Sequence, residues 1–288
     1  MKGLIAINGY FENASTLAQE RELKAELGAR GAACDVIKTN ALGIGVRGGE
    51  AYADADGYDF CVFLDKDVTA ARLLETTGLR LFNTAEAVRL CDDKMLTFAA
   101  LCGKGINMPE TISSPLMYCE NDDPAFLDGV ERRLGYPVVV KKVYGSMGRG
   151  VFLAKNRAEL DALFVRLRME PHLYQKFTGR GGEDYRVIVI GGRAVAAMKR
   201  VNENDFRSNI ELGGEGTAVG FTEDLRSVAE RAAASLGLDY AGVDILEENG
   251  KLFLCEVNSN AFFSGIERAT GKNVAAMYAE HIVKNIRK

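Results

Sequence analysis

Two short apolar runs, Gly242-Val-Asp-Ile-Leu246 and Leu252-Phe-Leu-Cys-Glu256-Val-Asn258, flank the turn Glu247-Glu-Asn-Gly250 and predict a β-hairpin with acids set into it. An apolar strand that carries acids demands a fold that brings counter-charge to one face. Side chains alternate along a strand, so Glu256 and Asn258 point the same way, and Asp244 on the facing strand can stand across from them. Two carboxylates and one amide carbonyl then converge on a small volume. Charges of one sign repel there unless a cation sits between them. Magnesium suits such a set, because it binds through one or two carboxylates and leaves positions for phosphate oxygens. Taken alone, the hairpin reads equally well as a solvated polar face.

The chain has 288 residues, enough for one large or two to three small domains. Hydrophobic residues at 47% and charged residues at 26% match an ordinary globular core and surface. A net charge of −4 gives no overall basic field to recruit nucleic acid. The six cysteines contain no CxxC pair, and most sit in apolar or helical patterns. They read as reduced thiols of the cytoplasm rather than a disulfide frame or zinc site. With only His172 and His281, a histidine-rich metal site is excluded. The start, Met1-Lys-Gly-Leu-Ile-Ala-Ile-Asn8, is too short and polar-flanked for a signal peptide, and no run approaches the ~20 apolar residues of a membrane span.

Three units are expected, with boundaries 1–90, 91–172 and 173–288. In the first, strands at Leu4–Asn8, Cys34–Lys38, Tyr58–Leu64 and Leu79–Phe82 alternate with helices over 14–30 and 68–77, the pattern of a parallel doubly wound layer. Its first turn, Asn8-Gly-Tyr-Phe-Glu-Asn-Ala, lacks GxGxxG, so this α/β unit is expected to line a substrate cleft. One helix is predicted over 84–102, with Thr84 as N-cap. The two later units mix strands with single helices, including a hairpin 185–200 that turns at Gly191-Gly192 and a polar loop over 202–216.

Gly145-Ser-Met-Gly-Arg-Gly150 lies between two strands and is not followed by Lys-Ser/Thr, so it is no P-loop. Gly145, Ser146 and Gly148 can still bring backbone N–H groups over phosphates, or form an ordinary turn. In Val138-Val-Val-Lys-Lys142, one lysine of the pair must point inward; Lys141 is assigned that role, with Lys142 on the other side. Lys94, after Asp92 and Asp93, reads as a surface lysine paired with those aspartates. Arg200 closes a strand before the polar loop Asp205-Phe-Arg-Ser-Asn209, where Arg207, Ser208 and Asn209 suit a charged ligand or solvent.

Further matching segments are Phe82-Asn-Thr-Ala-Glu-Ala-Val-Arg-Leu-Cys-Asp-Asp-Lys94, Tyr174-Gln-Lys-Phe177, Asp184-Tyr-Arg186 and Gly265-Ile-Glu-Arg-Ala-Thr-Gly271. With the hairpin and the glycine loop they resemble, in order and over roughly residues 82–288, the ATP-grasp superfamily. Within it the chain is most similar to the RimK-type ligases, which add glutamate or a related amino acid to a carboxyl group. The resemblance implies an α/β N-terminal domain followed by an α+β ATP-grasp fold whose two subdomains clasp ATP. It implies that Lys94 and Lys141 contact phosphates, that Gln175, Lys176 and Phe177 line the hinge beside adenine, and that Asp184 sits near the ribose. Arg207 and Asn209 match a segment at the nucleotide and substrate end. Asp244, Glu256 and Asn258 match ligands for one or two Mg2+ ions, with Mn2+ able to replace them. The expected partners are ATP, a carboxylate acceptor on a small molecule, peptide or protein, and an amino-acid amine; a homo-oligomer is left open.

The implied chemistry is phosphoryl transfer to a carboxylate, giving an acyl phosphate that an amine displaces. Arg200 is the expected catalytic residue, stabilising charge on the transferring group. Lys176 replaces a glutamate common in the hinge. Asn258-Ser-Asn-Ala-Phe-Phe-Ser-Gly265 departs from the usual Ser-Pro-Gly-Leu-Glu-Gly, so Asn260, Phe262 and Phe263 are expected to set substrate preference, with packing against the last helix as the other reading for the aromatics. An ATP-binding protein without catalysis is the alternative function.

Overall fold

The computed structural model describes residues 1–120 and 123–286. The chain opens with β1 (Lys2–Ile7), α1 (Ala14–Ala29), β2 (Ala33–Lys38), β3 (Gly45–Arg47), β4 (Glu50–Tyr52), β5 (Phe60–Leu64), α2 (Val68–Thr76) and β6 (Arg80–Phe82). Four of these strands form a parallel sheet in the order β2-β1-β5-β6. Parallel sheets are covered on both faces, and the strands obey that rule residue by residue. Leu4, Ala6, Cys61 and Phe63 enter one core, while Ile5, Phe60 and Val62 enter another with Leu23 and Leu27 of α1. The small hairpin β3–β4 stands apart and was not foreshadowed by any apolar alternation.

Next come α3 (Ala85–Asp92), α4 (Lys94–Leu101), β7 (Thr111–Ser113), α5 (Ala125–Leu134), β8 (Val138–Lys142), β9 (Val151–Ala154), α6 (Arg157–Leu167) and β10 (His172–Lys176). The single helix expected over 84–102 is therefore two. Thr84 caps the first, accepting from Ala87 N at 3.2 Å. Asp93 leaves the helical region and its Oδ1 accepts from Met95 N at 2.9 Å and Leu96 N at 2.8 Å, so one aspartate ends α3 and caps α4. The break makes Lys94 the first residue of a new helix. Strands β7-β10-β8-β9 form an antiparallel sheet that packs Val138, Val140 and Tyr174 on Leu127, Leu160 and Phe164 of α5 and α6.

The remainder is β11 (Glu183–Ile190), β12 (Arg193–Val201), β13 (Glu215–Ala218), α7 (Glu223–Ser235), β14 (Tyr240–Glu248), β15 (Lys251–Asn258), α8 (Ser264–Thr270) and α9 (Val274–Ile286). The expected polar loop hides a short edge strand, β13, and α8 was not anticipated. Five antiparallel strands lie in the order β13-β12-β11-β14-β15. One face, through Val187, Val189, Val243, Ile245 and Leu254, buries α7 and also Cys91, Leu101 and Ile106. Residues 91–106 thus share the core of this third sheet. The other face has an apolar end, Ile188, Ile190, Met198 and Tyr240, which joins Ile5, Phe60, Phe82 and the α9 residues Tyr278 and Ile282 in one core. Along β11 that face continues into Arg186 and Asp184, so period-2 alternation turns a core face into a polar floor.

Asn83 ties the first sheet to the third. Its Nδ2 donates to Tyr240 O at 2.8 Å and Ser259 O at 2.9 Å, and its Oδ1 accepts from Asp239 N at 2.7 Å and Tyr240 N at 3.0 Å. No helix of the described residues is long and apolar enough to cross a membrane.

Two stability predictions follow from these contacts. Asn83→Ala strands four backbone groups, three of them buried, and is expected to cost about 3 kcal/mol, read as a lower urea midpoint; a loss under 1 kcal/mol contradicts the tie. His172 is 1% exposed, and burial holds its imidazole below the ordinary histidine range. The unfolded chain then binds the proton more readily, so this contribution is present above pH about 6.5 and lost as pH falls through the folded value. The urea midpoint of the parent should fall between pH 7.5 and 5.5, and His172→Gln should flatten that slope.

Candidate functional site

The polar end of the third sheet carries the site. In register, Asp184 faces Arg200, Arg186 faces Asp244, and Asp244 faces Glu256, with Asn258 opposite Gly242. A register shift between Asp244 and Ile245 leaves Cys255 as an extra residue on β15. This β-bulge turns Cys255 and Glu256 together toward the same cleft.

Arg200 is only 2% exposed and lies between two carboxylates. Its Nε donates to Asp184 Oδ1 at 2.7 Å, and its Nη2 lies 3.0 Å from Asp244 Oδ2. Burial works against its charge, yet Asp244 and Asp184 outweigh burial and hold the guanidinium protonated. Arg186 binds Asp244 through Nε to Oδ1 and through Nη2 to Oδ2, the latter at 2.7 Å. Burial alone pushes the Asp244 carboxyl up, but Arg186 and Arg200 bring it below the usual carboxylate range. Glu256 behaves likewise: burial and Asp244 raise it, while Lys94 chiefly, with Lys66 and Lys141, pulls it below.

Lys94 is buried rather than a surface lysine. Its Nζ donates to Gly145 O at 2.9 Å and sits 3.5 Å from Glu256 Oε1. Lys141 is also buried, with Nζ 3.7 Å from Cys255 Sγ, while Lys142 pairs with Glu170 on the other side of β8. Lys94, Lys141, Arg186 and Arg200 therefore face Asp184, Asp244 and Glu256, and the cations exceed the acids by one. That excess favours an anionic ligand such as a polyphosphate.

Three cavities meet here. One lies between the sheets and is walled by Val139, Lys141, Gln175, Lys176, Phe177, Asp184, Arg200, Ser208 and Leu246, combining apolar walls with cations. Gln175 is fixed at its edge by a 2.9 Å bond to Thr111. A small space under the glycine loop is walled by Lys94, Gly145, Ser146 and Gly148. The third, of about 220 Å³, runs between the first and third sheets and is walled by Arg186, Asn258, Asn260 and Phe262 on one side and by Asn8, Phe11, Gln19 and Asp65 on the other. Glu256 lines all three, and Asn209 lines the first and third. The N-terminal sheet is the expected platform of a cleft.

The loop after β12 holds the glycine loop. Arg207 is gripped by Asp205 through Nε and Nη2 at 2.9 and 2.6 Å and donates from Nη1 to Gly148 O at 2.8 Å. The Arg207 guanidinium bound to Asp205 lowers that carboxyl below its usual range. Gly148 has φ 70°, and a Cβ there would lie 2.8 Å from Asn209 Oδ1. The left-handed backbone favours glycine, and an added methyl would push the Asn209 side chain aside.

One residue expected at the substrate is elsewhere. Phe263 is 0% exposed and stacks edge-on against Tyr240 at 5.5 Å, because α8 turns it into the core shared with α9. Its neighbour Phe262 lines the large cavity. Conversely, Arg186 had been given no role, although alternation from Asp184 puts it on the site face and register sets it against Asp244.

Asp244, Glu256 and Asn258 supply only oxygen donors, as a hard divalent cation requires. Among the described residues, no three His, Cys, Asp or Glu side chains form a metal cluster on their own. The fit is thus to a cation that takes part of its shell from ligand oxygens, which the adjacent lysine-lined cavities would hold.

A family model described as RimK-like ATP-grasp domain matches residues 91–282. The chain is 35% identical over 223 residues to β-citrylglutamate synthase B of Danio rerio, covering 76% of this chain and 54% of that protein, so it spans about half the length of that relative. It is 33% identical over 287 residues to a probable α-L-glutamate ligase of Psychromonas ingrahamii, covering 94% of this chain and 93% of the relative. Among solved structures, the D-alanine–D-alanine ligase of Bacillus anthracis complexed with ATP superposes with a TM-score of 0.76 over 100% of this chain and 97% of its own, at 19% identity. The shared architecture is the ATP-grasp fold.

Gly148→Ala tests the clasp between the two loops. The variant is expected to lose about 1–2 kcal/mol of stability from the left-handed backbone alone. Hydrogen exchange across 145–150 should speed up at the same time; unchanged exchange contradicts the close approach to Asn209.

Proposed function

We propose that this chain, which belongs to the RimK-like ATP-grasp family, is an ATP- and magnesium-dependent ligase joining a carboxylate to an amine through an acyl phosphate. The observation that carries the proposal is the position of Glu256. It is a shared wall of the apolar, cation-edged cavity, the space under the glycine loop and the large cavity. A nucleotide in the first two would direct its terminal phosphate at Glu256, and a substrate in the third would meet it there.

The residues divide the work. Val139, Phe177 and Leu246 offer apolar walls for a base, with Gln175 and Lys176 at the strand end. Lys141 in the first cavity and Lys94 under the glycine loop hold phosphate oxygens, and Ser146 and Gly148 cover them. Asp244, Glu256 and Asn258 would hold Mg2+, which when bound neutralises charge on the phosphates. The substrate carboxylate attacks the γ-phosphorus and ADP leaves. Arg200 is fixed by Asp184 and Asp244 before the reaction, so its charge faces the transferring group without reorganisation. The amine nitrogen then attacks the acyl carbon, the carbon–oxygen bond to phosphate breaks, and the amine gives up a proton. The glycine loop, tied down by Arg207, keeps water from the acyl phosphate.

The names of the relatives favour an amino acid such as glutamate as one substrate. The six cysteines, all free in this fold, suit a reducing compartment such as the cytoplasm.

Hydroxylamine intercepts acyl phosphates. The protein with ATP, Mg2+, hydroxylamine and a pool of carboxylates should form ADP and hydroxamate in equal amounts. Glu256→Ala should lose activity by more than the roughly 10–100-fold typical of outer-shell partners of a metal. Tight ATP binding with no ADP from any pool would point instead to a binding protein without catalysis.

A further inference from the structure

We propose that Asp65 binds an ammonium group of the substrate, so that the large cavity takes a free amino acid as the carboxylate to be activated. This rests on the ligase reading above and narrows it to a substrate class.

Asp65 follows β5, Asn8 follows β1 and Thr39 follows β2, three neighbouring parallel strands. In open parallel sheets, ligands bind beyond these carboxyl ends. Asp65 is 5% exposed and lines the large cavity. Its Oδ1 accepts from Asn8 Nδ2 at 3.0 Å and from Lys66 N at 2.7 Å, and its Oδ2 accepts from Thr39 Oγ1 at 3.1 Å. All three donors are neutral. They fix the carboxylate in place without cancelling its charge.

The other charged side chains of this cavity are paired within the protein or exposed. Lys66 turns to Asp92 at 3.3 Å, Glu12 pairs with Lys38 at 3.0 Å, Glu256 lies 3.5 Å from Lys94, and Arg186 holds Asp244. Glu211 is exposed. Among the described residues, Asp65 has no ion-pair partner, and pairing is what most offsets the cost of burying a carboxylate. The cavity in front of it, about 220 Å³, has room for an ammonium group.

The opposite wall supplies the complement. Arg186 spends Nε and Nη2 on Asp244, which leaves Nη1 for a substrate carboxylate beside Glu256. Ile7, Leu64, Phe11 and Phe262 supply apolar surface of the same cavity. An acid on one wall, a guanidinium on the other and apolar surface with them match a zwitterion with an apolar side chain. A dicarboxylate without an amine would set a second negative charge against Asp65.

The test compares two series of carboxylates, the free proteinogenic amino acids and their N-acetyl derivatives, in the hydroxylamine assay with ATP and Mg2+. The parent protein should use free amino acids at least 10-fold better in kcat/KM. Asp65→Asn should remove that preference by lowering kcat/KM for the free series at least 10-fold, while the KM for ATP stays within 2-fold. Because the substitution removes an unmatched charge, the variant should melt no lower than the parent. Equal use of both series by the parent overturns the assignment while leaving the ligase reading intact. Equal loss on both series with a lower melting temperature also overturns it, since that is the mark of a strut between strand ends. No nucleotide turnover with either series defeats the ligase reading and this assignment together.

Discussion

One buried guanidinium organises the polar end of the third sheet. Arg200 on β12 is held by Asp184 on β11 and Asp244 on β14, so three strands share one charge network. Removing one partner of such a network leaves an uncompensated charge, a loss on the order of 3–5 kcal/mol. The network also decides which groups remain available. Asp244 is committed to two arginines, which leaves Glu256, paired only at 3.5 Å with Lys94, as the freer carboxylate. The site is therefore polarised before any ligand enters, with guanidinium on one flank and ammonium on the other.

The same sheet face serves as core and as floor. Ile188 and Ile190 lie in phase with Asp184 and Arg186 on β11. Packing the apolar half on α9 and the first sheet fixes the polar half by continuity of the strand. Asn83 sets the first sheet against β14 and the residue after β15 through four hydrogen bonds. The large cavity is thus bounded by the first and third sheets, and the glycine loop and the segment 205–209 lie beside it as loops.

Much of this was legible because alternation in strands is a strong physical signal. The hairpin Gly242–Asn258 and the inward Lys141 follow from it, and the parallel N-terminal sheet follows from the succession of strand and helix. What escaped depended on partners distant in sequence. The break at Asp93 comes from a cap that competes with an otherwise continuous helical pattern. Phe263 reads like Phe262 in sequence, and only the start of α8 sends one into the core and the other to the cavity. Arg186 carried a legible periodicity, but its role appears only when Asp244 is set opposite it. Asp65 gave no signal at all, since its isolation as a charge is a property of three strand ends.

Glu256 has a thermodynamic consequence that goes beyond its contacts. A side chain that walls three cavities enters the binding equilibrium of each. An occupant that strengthens or relaxes the hold of Lys94 on Glu256 changes the free energy of filling the neighbouring space. That coupling is reciprocal by necessity, so whatever one occupant does to the affinity of the other is returned in equal measure. On the proposed reading, nucleotide and substrate would be coupled through a shared carboxylate wall rather than through a long path of moving parts.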